Sequence, residues 1–71
     1  MFYELWDILS GNIINTYETE DQALAVVRGL LDLNGVDYAR ALSLSFEDDN
    51  EDTTVIAEGV ALAERARAAA A

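Results

Sequence analysis

The same order of sequence patterns occurs twice in this chain, and that repetition restricts the fold more than any other feature. Each copy contains two segments rich in aromatic and β-branched residues, which are typical of strands, and then a segment with apolar residues at helical spacing. Two adjoining strand segments predict a β-hairpin. We therefore expect two ββα units within a single domain spanning residues 1–71. The expected fold class is α+β, with a four-stranded antiparallel sheet and two helices on one face.

The first unit is predicted to begin with strands at Phe2–Leu9 and Ile13–Tyr17. Between them lies Ser10-Gly11-Asn12, whose glycine and asparagine tolerate the positive φ angles of a hairpin turn. These two strands and their turn form the first predicted hairpin.

A capping box predicts the start of the first helix. Thr19 is followed three residues later by Gln22, so the threonine hydroxyl can accept from the Gln22 backbone N–H while the glutamine side chain reaches back. We expect a helix to start near Glu20, with Asn34-Gly35 providing a left-handed stop and Val36 packing back on the last turn.

The second unit opens, after a short link over residues 37–40, with an alternating segment. Leu42, Leu44 and Phe46 alternate there with two serines, Ser43 and Ser45. This period of two predicts a strand with an apolar inner face and a serine face exposed to water.

The rest of the second unit is predicted from composition. Thr53–Ala57 is β-branched and reads as a strand, Gly59 marks a turn, and an alanine-rich helix follows from Val60 to about Ala68. Because the apolar face of this helix is mostly methyl groups, it buries little area, and we expect it to be the weaker of the two helices.

Composition excludes most catalytic chemistry. The chain has 14 acidic residues against four arginines, a net charge of −10, and no lysine, histidine or cysteine. The usual neutral-pH base, the commonest zinc ligands and any disulfide are therefore absent, and the serines have no base to activate them. We expect no enzyme activity, no cofactor and no binding of nucleic acid, whose phosphates the acidic surface repels.

Hydropathy patterning bears on location. No basic segment precedes an apolar run near the first residue, and no apolar run is long enough to span a membrane. We expect neither a signal peptide nor a transmembrane helix, no membrane partner, and a cytoplasmic protein.

The acidic run Glu47–Asp52 supports two interpretations. Asp48, Asn50 and Asp52 match the first three ligand positions of an EF-hand loop, which makes them candidate metal ligands. The match ends there, because Thr53 stands where that loop requires glycine and no glutamate follows at its last ligand position. We expect a solvated hairpin tip without metal, and the alternative is a cation- or small-ligand-binding domain using residues 47–52.

The first predicted strand is apolar on both faces, which usually means that both faces are covered. It alternates Phe2, Trp6 and Ile8 with Tyr3, Leu5 and Leu9. We expect the outer face of the sheet to be a self-association surface; the alternative is that Tyr3 and Leu9 lie singly at the edge of the fold. The predicted interaction residues are Tyr3, Leu5, Trp6 and Tyr17 for the apolar contact and Glu47, Asp48, Asp49, Glu51 and Asp52 for attracting a partner.

The arginines have ordinary predicted roles. Arg28 stands four residues before Asp32, a spacing that permits a surface ion pair. Arg65 and Arg67 are expected to complement the dipole at the end of the last helix.

Residues 10–12 (Ser-Gly-Asn), Thr19-Glu20, Ala23-Leu24 and Val27-Arg28 together carry a resemblance. In this S-G-N turn and T-E…A-L…V-R helix start the chain resembles a group of small uncharacterised bacterial proteins, which implies no activity. The hairpin leading into a capped helix is also similar to HicB-like antitoxin modules, which neutralise basic RNase toxins. That resemblance covers about the first half of the chain, and the second hairpin and helix depart from it.

These observations predict a non-enzymatic acidic protein-interaction module. We expect it to form a homodimer through a face or an edge of the sheet and to receive a basic protein partner, in an antitoxin-like or regulatory role.

Overall fold

The computed structural model describes residues 1–70 and confirms the predicted α+β fold. In chain order its elements are β1 (Phe2–Asp7), β2 (Asn12–Tyr17), α1 (Glu20–Asn34), a 3₁₀ helix (Val36–Ala41), β3 (Leu42–Glu47), β4 (Thr53–Glu58) and α2 (Gly59–Ala69). The segment predicted as a link at residues 37–40 therefore lies within the 3₁₀ helix. None of the helices in residues 1–70 combines the length and the apolar character needed to cross a membrane.

The four strands form one antiparallel sheet in the order β2-β1-β3-β4. The first strands of the two units, β1 and β3, lie side by side at the centre, with Leu5 opposite Leu44. The second strand of each hairpin is an edge strand, so each unit contributes one half of the sheet.

Each edge strand contains one extra residue relative to its central neighbour. The register skips Ile14 in β2 and Ile56 in β4. A β-bulge of this kind bends the strand and interrupts its ladder locally. Both edges of the sheet are therefore irregular.

The core lies between one face of the sheet and both helices. Its largest fully buried side chains are Leu5, Leu42 and Leu44 from the sheet, Leu24 and Val27 from α1, and Leu62 from α2. They belong to one contiguous cluster, so both helices cover the same face of the sheet, as predicted. Burying a leucine or valine contributes about 1.5–3 kcal/mol relative to exposing it, and this cluster is the main source of stability.

The first hairpin turn is built around Asp7. Its Oδ1 accepts from the backbone N–H of Leu9 at 3.0 Å, and its carbonyl oxygen accepts from the N–H of Gly11 at 2.9 Å. Gly11 has a φ of 74°, which agrees with its predicted place in the turn. Because these bonds turn the chain directly after Asp7, β1 ends there rather than at the predicted Leu9.

The capping box at the start of α1 is confirmed. Thr19 Oγ1 accepts from the backbone N–H of Gln22 at 3.2 Å. In return, Gln22 Oε1 accepts from the N–H of Thr19 at 3.3 Å and from that of Glu18 at 3.1 Å. The helix therefore begins at Glu20, and three backbone N–H groups at its start, those of Glu18, Thr19 and Gln22, have local side-chain acceptors.

The end of α1 differs in part from the prediction. Gly35 stops the helix and donates its N–H to the carbonyl of Leu31 at 2.8 Å. Its φ of 90° and ψ of 159° lie outside the predicted left-handed helical region, in one that is essentially restricted to glycine. Val36, which was predicted to pack back on the last turn, opens the 3₁₀ helix, is 58% exposed and lines a groove together with Leu31 and Asp32 of that turn.

The buried face of α2 is as small as predicted. Its buried residues are Leu62, Ala63 and Ala66, and α2 starts immediately after β4 at Gly59, whose φ is 61°. The preceding residue, Glu58, makes no side-chain bond to the first turn. This helix therefore has neither a large apolar face nor an N-terminal cap of its own.

An exposed ion pair joins the two helices. The guanidinium of Arg65 donates to both carboxylate oxygens of Glu20. This hydrogen bond, together with the charge of Glu20, raises the pKa of Arg65 above its ordinary value. Because the Arg65 side chain is exposed, we assign the pair only about 0.2–1 kcal/mol.

Arg28, an arginine of α1, caps the end of α2. Arg28 Nη1 donates to the carbonyl oxygen of Ala66 at 2.8 Å, in a partly buried position. The usual partner for that carbonyl would be the N–H of Ala70, which instead donates to the carbonyl of Arg67 at 3.2 Å. The last turn of α2 is therefore completed from a different helix.

Replacing the N-cap tests the local origin of α1. We expect Thr19→Ala to lower the free energy of unfolding by about 1 kcal/mol, because the Gln22 N–H loses its acceptor. Thr19→Ser keeps the hydroxyl and should cost less than half as much. Urea unfolding followed by circular dichroism measures both losses, and equal losses would contradict the capping role.

Candidate interaction surfaces

The face of the sheet opposite the helices is formed by alternate residues of all four strands. Leu5 points into the core, so Glu4 and Trp6 on either side of it point outward. Residues that pair directly across an antiparallel ladder share a face, and this extends the assignment to the other strands. We call this surface the open face; its residues are Phe2, Glu4, Trp6, Ile13, Thr16, Ser43, Ser45, Glu47, Thr53, Val55 and Glu58.

The open face consists of three cross-strand rows. They are Ile13, Trp6, Ser43 and Glu58; then Thr16, Glu4, Ser45 and Val55; then Phe2, Glu47 and Thr53. Each row contains one carboxylate and at least one large apolar side chain, and no described residue of the face is basic. Ile13 is 41% and Val55 is 54% exposed, so apolar surface and negative charge meet water together here.

The prediction of a water-exposed serine face is wrong. Ser43 and Ser45 lie on this side of β3, yet they are only 5% and 4% exposed. Both occupy a central strand and are flanked on each side by longer side chains, among them Trp6 and Val55. The two serines are therefore covered by their longer neighbours in the middle of the open face.

The structure separates the four predicted apolar contact residues. Leu5 is fully buried in the core, so its prediction as a partner contact is wrong. Tyr3 and Tyr17 pair with each other on the helix side of the sheet, where both pack against the core. Of the four, Trp6 is the one that lies on the open face.

The tyrosines on the helix side belong to the packed layer. The rings of Tyr3 and Phe46, on neighbouring central strands, have centroids 4.9 Å apart. Burial raises the pKa of Tyr17 above its ordinary value, because the charged phenolate loses solvation in apolar surroundings.

The predicted acidic run forms a tight loop, residues 48–52, which we call the acidic tip. Asp48 closes it: its N–H donates to the carbonyl of Asp52 at 3.0 Å. Its Oδ1 accepts from the N–H groups of Asn50 at 2.9 Å and Asp52 at 3.0 Å. Between Asp48 and Asp52 lie three residues, and the third of them, Glu51, takes the left-handed conformation with φ at 65°. Three-residue hairpin loops typically have this conformation at their third residue.

The acidic tip contains the candidate metal ligands Asp48, Asn50 and Asp52. Oδ1 of Asp48 already accepts from the backbone N–H groups of Asn50 and Asp52. Within residues 1–70, no three acidic side chains are arranged to hold a metal ion. Asp49 lies 3.8 Å from the terminal ammonium of Met1, and both are exposed. These exposed carboxylates add to the negative field at this end of the sheet.

The helical side carries the arginines and a groove. The predicted ion pair of Arg28 with Asp32 is not formed, because Arg28 bonds to Ala66 instead. Near it the structure has a groove of about 420 Å³, whose lining residues are Arg28, Leu31, Asp32, Val36, Ala63 and Arg67.

Comparisons of this chain with protein-family models, with curated proteins and with solved structures found no match. The resemblances drawn from the sequence therefore stay predictions, and inferences about function rest on the surfaces described above.

Sequence reasoning missed several residues of the open face: Glu4, Ile13, Val55 and Glu58. Alternation along one strand defines the two faces of that strand alone. Which residues of other strands share a face depends on register, and each bulge shifts that register by one residue. For Glu4, the alternation around Leu5 was a usable signal once Leu5 was known to be inside.

Relief of backbone strain at the acidic tip gives a direct test of its geometry. We expect Glu51→Gly to raise the free energy of unfolding by about 0.5 kcal/mol. A non-glycine residue in the left-handed conformation costs about 1–2 kcal/mol, and the larger entropy that glycine loses on folding offsets part of the gain from removing this cost. Asp49→Gly removes the same charge at a position without positive φ and should lower stability. Thermal and urea unfolding measure both, and equal gains would show that charge repulsion is the cause.

The raised pKa of Tyr17 predicts a loss of stability in alkali. The folded state holds this phenolic proton more tightly than the unfolded state, so its contribution is fully present below about pH 10 and is lost as pH rises through the folded-state pKa. Between pH 9 and pH 11 the natural protein should lose more unfolding free energy than Tyr17→Phe. Urea unfolding at both pH values measures this, and equal losses would contradict it.

Proposed function

We propose that this chain is a non-enzymatic protein-interaction module whose open face binds a basic segment of another protein. The observation that carries the proposal is the combination, on one sheet face that no described residue covers, of exposed apolar side chains with one carboxylate in every row. An apolar surface of this kind favours a partner, and its charge favours a cationic one.

The side chains of the open face suit arginine or lysine. Both have an apolar stem that covers hydrophobic surface and a charged head that reaches past it. Here the stem can lie against Trp6 and Val55 while the head approaches Glu4 or Glu58. The indole of Trp6 adds a cation–π contribution of about 0.5–1 kcal/mol at an exposed site.

The distribution of charge supports the same direction of approach. All four arginines lie in α1, the 3₁₀ helix and α2, and the strands of residues 1–70 carry acidic residues alone among their charged groups. The acidic tip adds further carboxylates at one end of the sheet. A field of this sign raises the rate at which a basic partner arrives.

The edges of the sheet are less suitable for binding than its face. Pairing with a strand from another chain requires a regular row of free N–H and C=O groups. The bulges at Ile14 and Ile56 interrupt that row on both edge strands. We therefore place the contact on the open face.

Self-association is the second mode that this surface supports, and it has a different dependence on salt. Two copies pairing through the open face would bring Glu4, Glu47 and Glu58 against their equivalents, which is unfavourable until salt screens the charges. A homodimer of this kind strengthens with added salt, whereas binding of a basic partner weakens.

The proposed class of partner is a basic protein. The resemblance to HicB-like antitoxin modules agrees with an acidic surface that receives a basic protein, since those modules neutralise basic RNase toxins. An antitoxin-like or a regulatory role would use the same face.

Trp6 makes the test direct, because it is the single tryptophan of the chain and lies on the open face. We expect its fluorescence to change saturably on titration with a short peptide of alternating arginine and leucine, and not with the same peptide carrying glutamate for arginine. Glu4→Gln with Glu58→Gln should weaken binding about three- to tenfold. The matched control, Glu18→Gln with Glu64→Gln, removes equal charge from exposed positions outside the face and should change affinity less than twofold.

Three outcomes would overturn the proposal. Equal weakening by both double variants would show non-specific attraction to net charge. Binding that does not depend on salt, or that leaves Trp6 fluorescence unchanged, would place the contact elsewhere. Sedimentation at low and high salt distinguishes the homodimer from binding of a basic partner, because self-association through this face strengthens with added salt.

A further inference from the structure

We infer that the groove between α1, α2 and the 3₁₀ helix binds a small carboxylate that carries an aliphatic chain. It lies on the helical side of the molecule, away from the open face, and is independent of the function proposed above. Its lining residues come from three elements: Arg28, Leu31 and Asp32 from α1, Val36 from the 3₁₀ helix, and Ala63 and Arg67 from α2.

The groove concentrates positive charge in a very acidic protein. Two of the four arginines of the chain, Arg28 and Arg67, line it with one acidic residue, Asp32. Within residues 1–70, neither arginine has a carboxylate within 4.0 Å, whereas Arg65 is paired with Glu20. The local excess of one positive charge has no direct counterion among the described side chains.

The position of one guanidinium is fixed by the fold. Arg28 Nη1 donates to the carbonyl of Ala66 at 2.8 Å, and Ala66 directly precedes Arg67 in the last turns of α2. Arginine has five N–H donors in a rigid fork, and this bond uses one. Arg28 and Arg67 both line the groove, and the remaining donors of the Arg28 fork suit a planar carboxylate.

The remaining lining is apolar. Ala63 is buried, Leu31 is half-buried and Val36 is 58% exposed. These three side chains come from three different elements, so the apolar lining is shared among them rather than lying along one helix. An aliphatic chain laid over them would gain about 25 cal/mol for each Å² of apolar surface removed from water.

Charge decides between possible anions. The net charge of −10 opposes the approach of any anion, and Asp32 adds local repulsion that grows with each further negative charge on the ligand. A monocarboxylate has the lowest charge that still engages the arginines, and its chain uses the apolar lining. Inorganic phosphate has more charge and no apolar part, so it is the poorer ligand.

Octanoate is the probe for the test, followed by amide chemical shifts of the full chain. We expect saturable shifts at Leu31, Val36, Ala63 and Arg67, with no change in the fluorescence of Trp6 on the opposite side of the sheet. Arg67→Gln should raise the dissociation constant about three- to tenfold, the loss of one charge-assisted hydrogen bond at an exposed site. The control Arg40→Gln removes equal charge from the 3₁₀ helix outside the groove and should leave affinity within about twofold.

Arg28 also caps α2, so its replacement risks unfolding, and Val36→Ser serves as the second variant. It removes apolar surface at an exposed position and should weaken octanoate binding while leaving the fold unchanged. Equal shifts with 1-octanol would overturn the role of the arginines, and equal or tighter binding of inorganic phosphate would overturn the role of the apolar lining. Absence of saturable shifts with octanoate would overturn the site itself.

Discussion

Burial of three leucines on one side of the sheet governs the rest of this structure. Leu5, Leu42 and Leu44 face the helices and lose all contact with water, and both helices are used in covering them. α2 contributes mainly methyl groups, so it must lie close to the sheet to exclude water. In a chain of 71 residues the described elements supply one covering layer, and the opposite face of the sheet therefore meets solvent with its apolar and acidic side chains together.

Local interactions could be predicted from the sequence, and contacts between distant segments could not. The Thr19 cap and the strands of both hairpins depend on neighbours within a few residues, so patterns reveal them. Alternation showed that β1 has two apolar faces, but both candidate sets were hydrophobic, and Leu5 was assigned to the wrong one. The burial of Ser43 and Ser45 depends on which strands lie beside β3. The exposure of Val36 depends on the backbone conformation of Gly35, which sets the direction of the chain after α1. Strand order and register decide such features.

The two sides of the molecule present different chemistry because charge is sorted by element type. Strands of the described chain carry carboxylates, whereas the arginines lie in helical segments, where they reach carbonyl groups and a carboxylate of another helix. This sorting underlies both proposals, a cationic partner over the sheet and a monoanion between the helices. Neither assignment needs a reactive side chain, which agrees with a composition poor in nucleophiles and bases.

The cap that Arg28 provides for α2 has a consequence for the order of assembly. α1 contains its own start signal and follows a hairpin that is adjacent in sequence, so it can form from contacts within residues 2–34. α2 lacks an N-terminal cap and receives its last hydrogen bond from α1, so its final turn becomes stable only after the two helices dock. We therefore expect the last turn of α2 to gain protection from hydrogen exchange late in refolding and to open early when the native state fluctuates.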